Sequence, residues 1–333
     1  MSEIAFKPPA VLEPAALGLG RLPPIVQSTG ERGIRRFLEF FIAHVRNPNT
    51  RQSYGRACSR FFQWADQKGI RHLGAVEPAI VAAYVEELQD ALAPPSVKQH
   101  LAALRMLFDW LVVGQVMSHN VAASVRGPKY VVRQGKTPIL STEQTRMLLE
   151  SLPLQKKDGS PDLAGLRDRA LLGVMVYAFA RVGAAIRMRV SDYYPNGKRF
   201  WLRLHEKGGK LHQLPVHHKL EVFLDEYIAA TGIGGERDSP LFRKLLPDKM
   251  LSGSAMHRND VLRMVKRRVL AAGLPSQTCC HSFRATGITS YLENGGTLEH
   301  AQSIANHESP RTTKLYDRTG DSITLEEVER IRI

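Results

Sequence analysis

Apolar residues at Ile34, Phe37, Leu38, Phe41 and Ile42 recur at steps of three and four, which predicts a helix that buries one face. The break Asn47-Pro48-Asn49-Thr50 follows and supplies a capping side chain for a second helix. The apolar stripe of that helix is Tyr54, Cys58, Phe61, Phe62 and Ala65, and its stop is Gly69. Pro78 opens a third helix carrying Ile80, Val81, Tyr84, Val85 and Leu88. Pro94-Pro95-Ser96 introduces a fourth carrying Leu101, Leu104, Phe108 and Leu111. Four consecutive amphipathic helices make a compact bundle, and Tyr54, Phe61, Phe62 and Trp64 follow its spacing and are read as core.

The helical period is lost over residues 126–138, a stretch rich in Gly, Pro and positive charge that reads as a linker. Ser141 then caps a new helix, with Gln144 completing a capping box. Leu166, Ala170, Leu171, Val174, Met175 and Ala178 line a buried helix that ends near Arg181-Val182-Gly183. From Arg199 to His205 the period changes to two, with Phe200, Leu202 and Leu204 alternating against Trp201, Arg203 and His205, so a strand is expected there and a partner from Leu211 to Val216. Gly208-Gly209 between them suits a tight hairpin turn that places a lysine at its tip. At the end of the chain, Leu325, Val328 and Ile331 share a helical stripe after Ser322, whose plain reading is a helix packed on its own domain. The expected fold is mainly α with a small β-sheet. Its expected divisions are a flexible tail at 1–30, a helical domain at 31–126, a basic linker at 127–138 and a second domain at 139–333.

Charge adds a partner to this picture. Lys and Arg number 46 against 32 Asp and Glu, a formal charge of +14, a surplus that attracts a polyanion and makes binding salt-dependent. The 43% of hydrophobic residues suffices for two cores. The three cysteines, Cys58, Cys279 and Cys280, show no metal-ligand spacing and fit a reducing compartment. No apolar run reaches the roughly 18 residues of a membrane span, and the first residues lack the basic-then-apolar order of a leader, so a cytoplasmic, nucleoid-associated protein without membrane contact is expected.

The chemistry is carried by His281-Ser282-Phe283-Arg284, then Asn306-His307, then Tyr316. A histidine and an arginine on one helical turn, a second histidine and a tyrosine make a phosphodiester-cleaving set. Upstream stand Arg181 at a helix end and the hairpin run Glu206-Lys207-Gly208-Gly209-Lys210. Each residue alone has a blander reading, Arg181 as a helix-end contact, the histidines as structural, Tyr316 as half-buried packing; the ordered conjunction does not. In this order the chain resembles the tyrosine recombinase, or phage-integrase, family across its C-terminal half.

The resemblance implies an N-terminal four-helix core-binding (SAM-like) domain and an α+β catalytic domain. The implied enzyme is a site-specific recombinase that cuts and rejoins double-stranded DNA through a 3′-phosphotyrosyl intermediate, with no cofactor and no metal. It assigns catalysis to Arg181, Lys207, His281, Arg284, His307 and Tyr316. A phenol ionises near pH 10 in water, so Tyr316 as nucleophile needs proton removal and a positive surround. Arg181 and Arg284 can each give paired N–H bonds to non-bridging oxygens, His281 acts in acid–base transfer, and His307 donates to the phosphate. Lys207 protonates the leaving oxygen, with Lys210 as the alternative at the same turn. Candidate phosphate contacts are Arg51, Arg56, Arg60, Lys129, Arg133, Lys136 and Lys210. The implied partners are a recombination site with inverted half-sites and three further copies of the chain in a synaptic homotetramer. A mobile-element integrase is the first biological reading, with Xer-like dimer resolution as the alternative and topoisomerase-like relaxation or a non-catalytic regulator further behind.

Three departures from the family pattern stand out. Ala184 occupies the place, three after the first arginine, where a carboxylate commonly orients that arginine. Asn306 replaces a glycine and Ala285 a histidine, neither of which removes a catalytic type.

Overall fold

The computed structural model describes residues 22–131, 135–206, 209–248, 250–317 and 329. The chain divides between Val131 and Val132 into two units. In the first, α1 (Pro24–Gln27) and α2 (Gly30–Glu39) precede α3 (Pro48–Gln67), α4 (Pro78–Ala91) and α5 (Pro94–Val113). Past its last α-helical residue, α2 runs on as a π-helical turn, Phe40–His44, closed by Val45 N donating to Phe40 O at 3.1 Å. Asn47 caps α3 as its sequence suggests, its Oδ1 accepting from the amides of Asn49 and Thr50. Gly69 follows α3 at φ +78°, a conformation that favours glycine.

The core of this unit is aromatic. Phe37, Phe40, Phe41, Phe61, Phe62 and Phe108 are fully buried, and Phe61 meets Phe62, Tyr84 and Phe108 edge to face. Trp64 is only partly buried because its indole N–H reaches out to Glu87 at 2.8 Å. Within the stretch expected as a tail, the described residues include a helical turn. Residues 24–27 are helical, with Ile25 and Val26 buried in the same aromatic core, because Pro24 starts a turn that puts two branched apolar side chains on one side.

The second unit opens with α6 (Thr142–Glu150), where the Ser141–Gln144 capping box forms as expected. Next come α7 (Leu163–Tyr177), α8 (Val182–Ala185) and an antiparallel sheet of β1 (Tyr193–Asn196), β2 (Arg199–His205) and β3 (Leu211–Pro215) in that spatial order. β2 and β3 pair Arg203 with Gln213 and His205 with Leu211, so Leu202, Leu204 and Leu214 face the core. α9 (His218–Thr231), a ribbon of β4 (Arg243–Leu245) and β5 (Leu251–Ala255), α10 (Arg258–Ala271), α11 (Cys280–Glu293), α12 (Leu298–Ala305) and α13 (Pro310–Lys314) complete it. The sequence reading missed β1 and the β4–β5 ribbon; the short strands of both carry little apolar alternation, and pairing with a neighbour defines them.

α7 is buried along almost its whole length and packs against both α9 and α11. Its Asp168 is fully buried and receives Arg167 at 2.7 Å and Arg268 at 2.9 Å, while Arg167 also donates to Arg243 O. This ties α7 to α10 and β4 through a paired charge that would be costly alone. α11 approaches α7 at Gly287, where a Cβ would lie 2.1 Å from Val176 O. No described helix is long and apolar enough to cross a membrane.

Ile25→Ala should lower the stability of the full chain by about 2–5 kcal/mol, read as a fall in the urea midpoint. A midpoint equal to wild type would mean that residues 22–29 lie outside the cooperative core.

Candidate active site

Arg181 stands in a break between two helices, not on one. α7 ends at Tyr177, Phe179 takes a left-handed φ of +47°, and Arg181 is the extended residue that starts α8. α8 packs against β2, which carries the arginine to the end of the hairpin. There Arg181 Nη1 donates to Glu206 Oε2 at 2.8 Å, with the guanidinium side chain 42% exposed and the carboxylate side chain 5% exposed.

His281 and Arg284 lie in the first turn and a half of α11 and point to one region. Arg284 is 1% exposed, and its two terminal nitrogens donate to Phe179 O and Ala305 O. Both acceptors sit at left-handed breaks, Phe179 itself and Asn306, which ends α12 at φ +48°. Asn tolerates that conformation, so the loss of glycine at 306 leaves the helix end intact. Arg284 Nε is buried and finds no partner among the described residues.

His307 follows directly. Its ring Nδ1 lies 2.9 Å from Thr313 Oγ1 in a buried pair, and its backbone is clasped by Gln302 on both the N–H and C=O sides. Tyr316, after α13, has its carbonyl held by Thr289 Oγ1 at 3.0 Å, and Gly135 N donates to the carbonyl of Leu315 before it. The phenol oxygen lies 2.7 Å from His281 Nε2, and the ring stacks on His307 at 5.7 Å with 8° between planes.

Electrostatics set the protonation of the cluster. His307 is pushed down to about 3, first by burial and then by the charges of Arg284, Arg181 and His281. His281 is also lowered, first by burial and then by Arg284 and Arg181. Both rings are therefore neutral at pH 7, and His281 Nε2 can accept the Tyr316 proton. Burial raises Tyr316, opposed by Arg284 and Arg181. Arg284 is itself lowered to about 10, chiefly by burial.

Five of the six candidate catalytic residues thus share one cluster, while Lys207 lies outside the described residues, as do Arg133 and the apolar stripe from Leu325 to Ile331. The described part of the hairpin still places its ends: Glu206 N donates to Lys210 O at 2.8 Å, and Lys210 Nζ reaches Glu308 Oε1 at 2.9 Å, beside His307. Sequence reasoning missed Glu206. The signal was present as an acidic residue at the strand end beside the hairpin lysine, but its meeting with Arg181 is a tertiary fact. Of the candidate phosphate contacts, Arg56 and Arg60 are exposed one turn apart on α3, and Arg51 donates to Val45 O. Lys129 and Lys136 are exposed, each in its own unit. A separate cavity of about 970 Å³, lined by Tyr177, Phe179, His217, Tyr291 and Ile304 among others, is lined by none of the five described candidates.

The fold and this cluster define a tyrosine-type site-specific DNA recombinase. Residues 140–322 match the phage integrase family and residues 34–114 its N-terminal SAM-like domain, and the chain belongs to that family. Among its relatives, tyrosine recombinase XerC of Salmonella typhi is 26% identical over 285 residues, covering 85% of this chain and 89% of the relative. Tyrosine recombinase XerD of Corynebacterium glutamicum is 26% identical over 284 residues, covering 83% and 89%. Two solved structures share the fold at 18% identity. A XerH site-specific recombinase bound to palindromic difH substrate has a TM-score of 0.67, covering 83% of this chain and 79% of that one. A lambda integrase dimer bound to a COC′ core site has a TM-score of 0.63, covering 87% and 79%.

The depressed histidine gives a pH signature. With a folded pKa near 3 against an ordinary 6.5, His307 binds its proton in the unfolded chain first, so its contribution to stability is complete above pH 6.5 and is lost as pH falls toward 3. The His307 ring should remain neutral by NMR at pH 5, and His307→Gln should flatten the fall in melting temperature between pH 6.5 and 4.5. An imidazole titrating near 6.5 in the folded chain would contradict the desolvated site.

Proposed function

We propose that this chain cuts and rejoins double-stranded DNA with Tyr316 as nucleophile, working for a mobile element in integration and excision. The observation that carries the chemistry is the 2.7 Å contact between the Tyr316 hydroxyl and the neutral ring of His281. The phenol oxygen attacks phosphorus as its proton passes to His281 Nε2, and the bond from phosphorus to the 5′ oxygen breaks. The products are a 3′-phosphotyrosine and, once Lys207 donates a proton, a free 5′ hydroxyl. Arg181 and Arg284 bear on the non-bridging oxygens, where preorganised donors stabilise the phosphorane. If the Thr313 hydroxyl donates to His307 Nδ1, the ring proton sits on Nε2, free to reach the phosphate. Resealing runs the same steps backward with another strand's 5′ hydroxyl, so the phosphodiester energy is retained in the covalent link.

Arg51, Arg56, Arg60, Lys129, Arg133, Lys136 and Lys210 are the proposed phosphate contacts. The target in this reading is a core site of inverted half-sites held by four subunits, coupled through the C-terminal segment. The DNA-bound neighbours, including a lambda integrase tetramer bound to a Holliday junction, support a DNA partner and that assembly. Similarity to XerC and XerD fits a second reading equally, the resolution of chromosome or plasmid dimers. Sequencing junctions formed on DNA flanking the gene separates the two: element ends joined to new DNA in one case, a single converted core site in the other.

Tyr316→Phe should bind DNA as wild type does yet form no covalent adduct on a suicide substrate, since only the phenolic oxygen is lost. Adduct at wild-type yield would move the nucleophile elsewhere, with Tyr291 next. Lys207→Ala should regain cleavage on DNA with a 5′-bridging sulfur, whose thiolate leaves without a proton. Rescue of Lys210→Ala in place of Lys207→Ala would transfer the role to Lys210.

A further inference from the structure

Arg181 has no acidic residue in its own helix to hold it. Ala184, one turn along α8, is buried and apolar, yet a guanidinium on an extended N-terminal residue, with 42% of its side chain exposed, can occupy many positions unless something fixes it. The structure supplies that group from another element. Glu206 follows the last residue of β2, its backbone closes the hairpin onto Lys210 O, and its carboxylate is buried with Arg181 Nη1 at 2.8 Å. The strand end that carries it is itself anchored: His205 Nε2 lies 2.8 Å from buried Asp192, and Arg187 Nη2 donates to His205 O.

We propose that Glu206 is the positioning residue for Arg181, replacing the carboxylate absent at 184 and tying the arginine to the base of the β2–β3 hairpin. The inference rests on the recombinase reading above. Two consequences follow from the placement. A carboxylate buried at the hairpin base accepts one guanidinium N–H and leaves the others to face solvent, which is the arrangement needed to grip a phosphate. Its negative charge also reaches Arg284, where it opposes the lowering caused by burial and by Arg181, so it offsets the repulsion between two arginines crowded at one site.

The test compares Glu206→Gln and Glu206→Asp with wild type in the full chain, following the rate of Tyr316 adduct formation on a suicide substrate alongside DNA affinity. Glu206→Gln, nearly isosteric and still able to accept a neutral hydrogen bond, should slow adduct formation about ten- to hundredfold with affinity within about threefold. Glu206→Asp, which keeps the charge, should recover most of the rate. A 5′-bridging sulfur should not rescue Glu206→Gln, because the lost function lies at the non-bridging oxygens. Rescue by sulfur would show that Glu206 serves the leaving-group lysine instead, and a wild-type rate in Glu206→Gln would show that it positions nothing; either outcome overturns the proposal. A second measurement needs no turnover: rotation of the Arg181 guanidinium, read by nitrogen NMR, should be slow in wild type and fast in Glu206→Gln. If wild type forms no adduct, the recombinase reading fails, and the NMR comparison still decides whether Glu206 holds Arg181.

Discussion

The second unit is organised around a buried cation. Arg284 loses nearly all contact with water, a step that costs several kcal/mol unless hydrogen bonds replace the lost hydration. Its replacements are the carbonyls of Phe179 and Ala305, each freed from helical pairing by a chain break next to a left-handed residue. Phe179 in that conformation is itself unfavourable, as it is for any bulky L-residue, so the strain and the buried charge support each other. Two breaks meet at this guanidinium, the end of α7 that leads to Arg181 and the end of α12 that leads to His307, while α11 carries His281 one turn before Arg284. Fixing Arg284 therefore fixes the directions from which the other groups enter.

Around that centre two cationic guanidiniums stand beside two neutral imidazoles and a phenol. Burial and then two nearby arginines hold both histidines neutral, and the same arginines oppose the burial that raises the tyrosine. A neutral imidazole against a phenol is a poised acceptor, whereas a protonated one could only donate. Glu206 tempers the repulsion between the guanidiniums without entering the contact between Tyr316 and His281. The site is preorganised before substrate arrives, which is how fixed dipoles and charges lower a barrier without reorganising during reaction.

Much of this was legible in the chain because it depends on local order. Helical spacing in Phe61, Phe62 and Leu104 located the first bundle, the alternation around Leu202 located the central strand, and the ordered set from Arg181 to Tyr316 pointed to the family. These signals survive in one dimension because periods of two and 3.6, caps and turns arise from backbone geometry. The short helix at Ile25 was hidden because two apolar residues between prolines show no period. The edge strand at Tyr193 was hidden because its pairing partner, not its own pattern, makes it a strand.

By itself, the sequence determined which groups are present, the elements that carry most of them, and the class of reaction they can perform. Only the tertiary structure decided how those groups are held. Ala184 announced that a carboxylate was missing from α8 but carried no information on its replacement, because Glu206 lies in a different element and meets Arg181 only when α8 packs on β2. The same holds for the carbonyls that receive Arg284 and for the approach of His281 to Tyr316. A side chain's partner across the fold is set by packing between elements far apart in the chain, and no local period or motif encodes that distance.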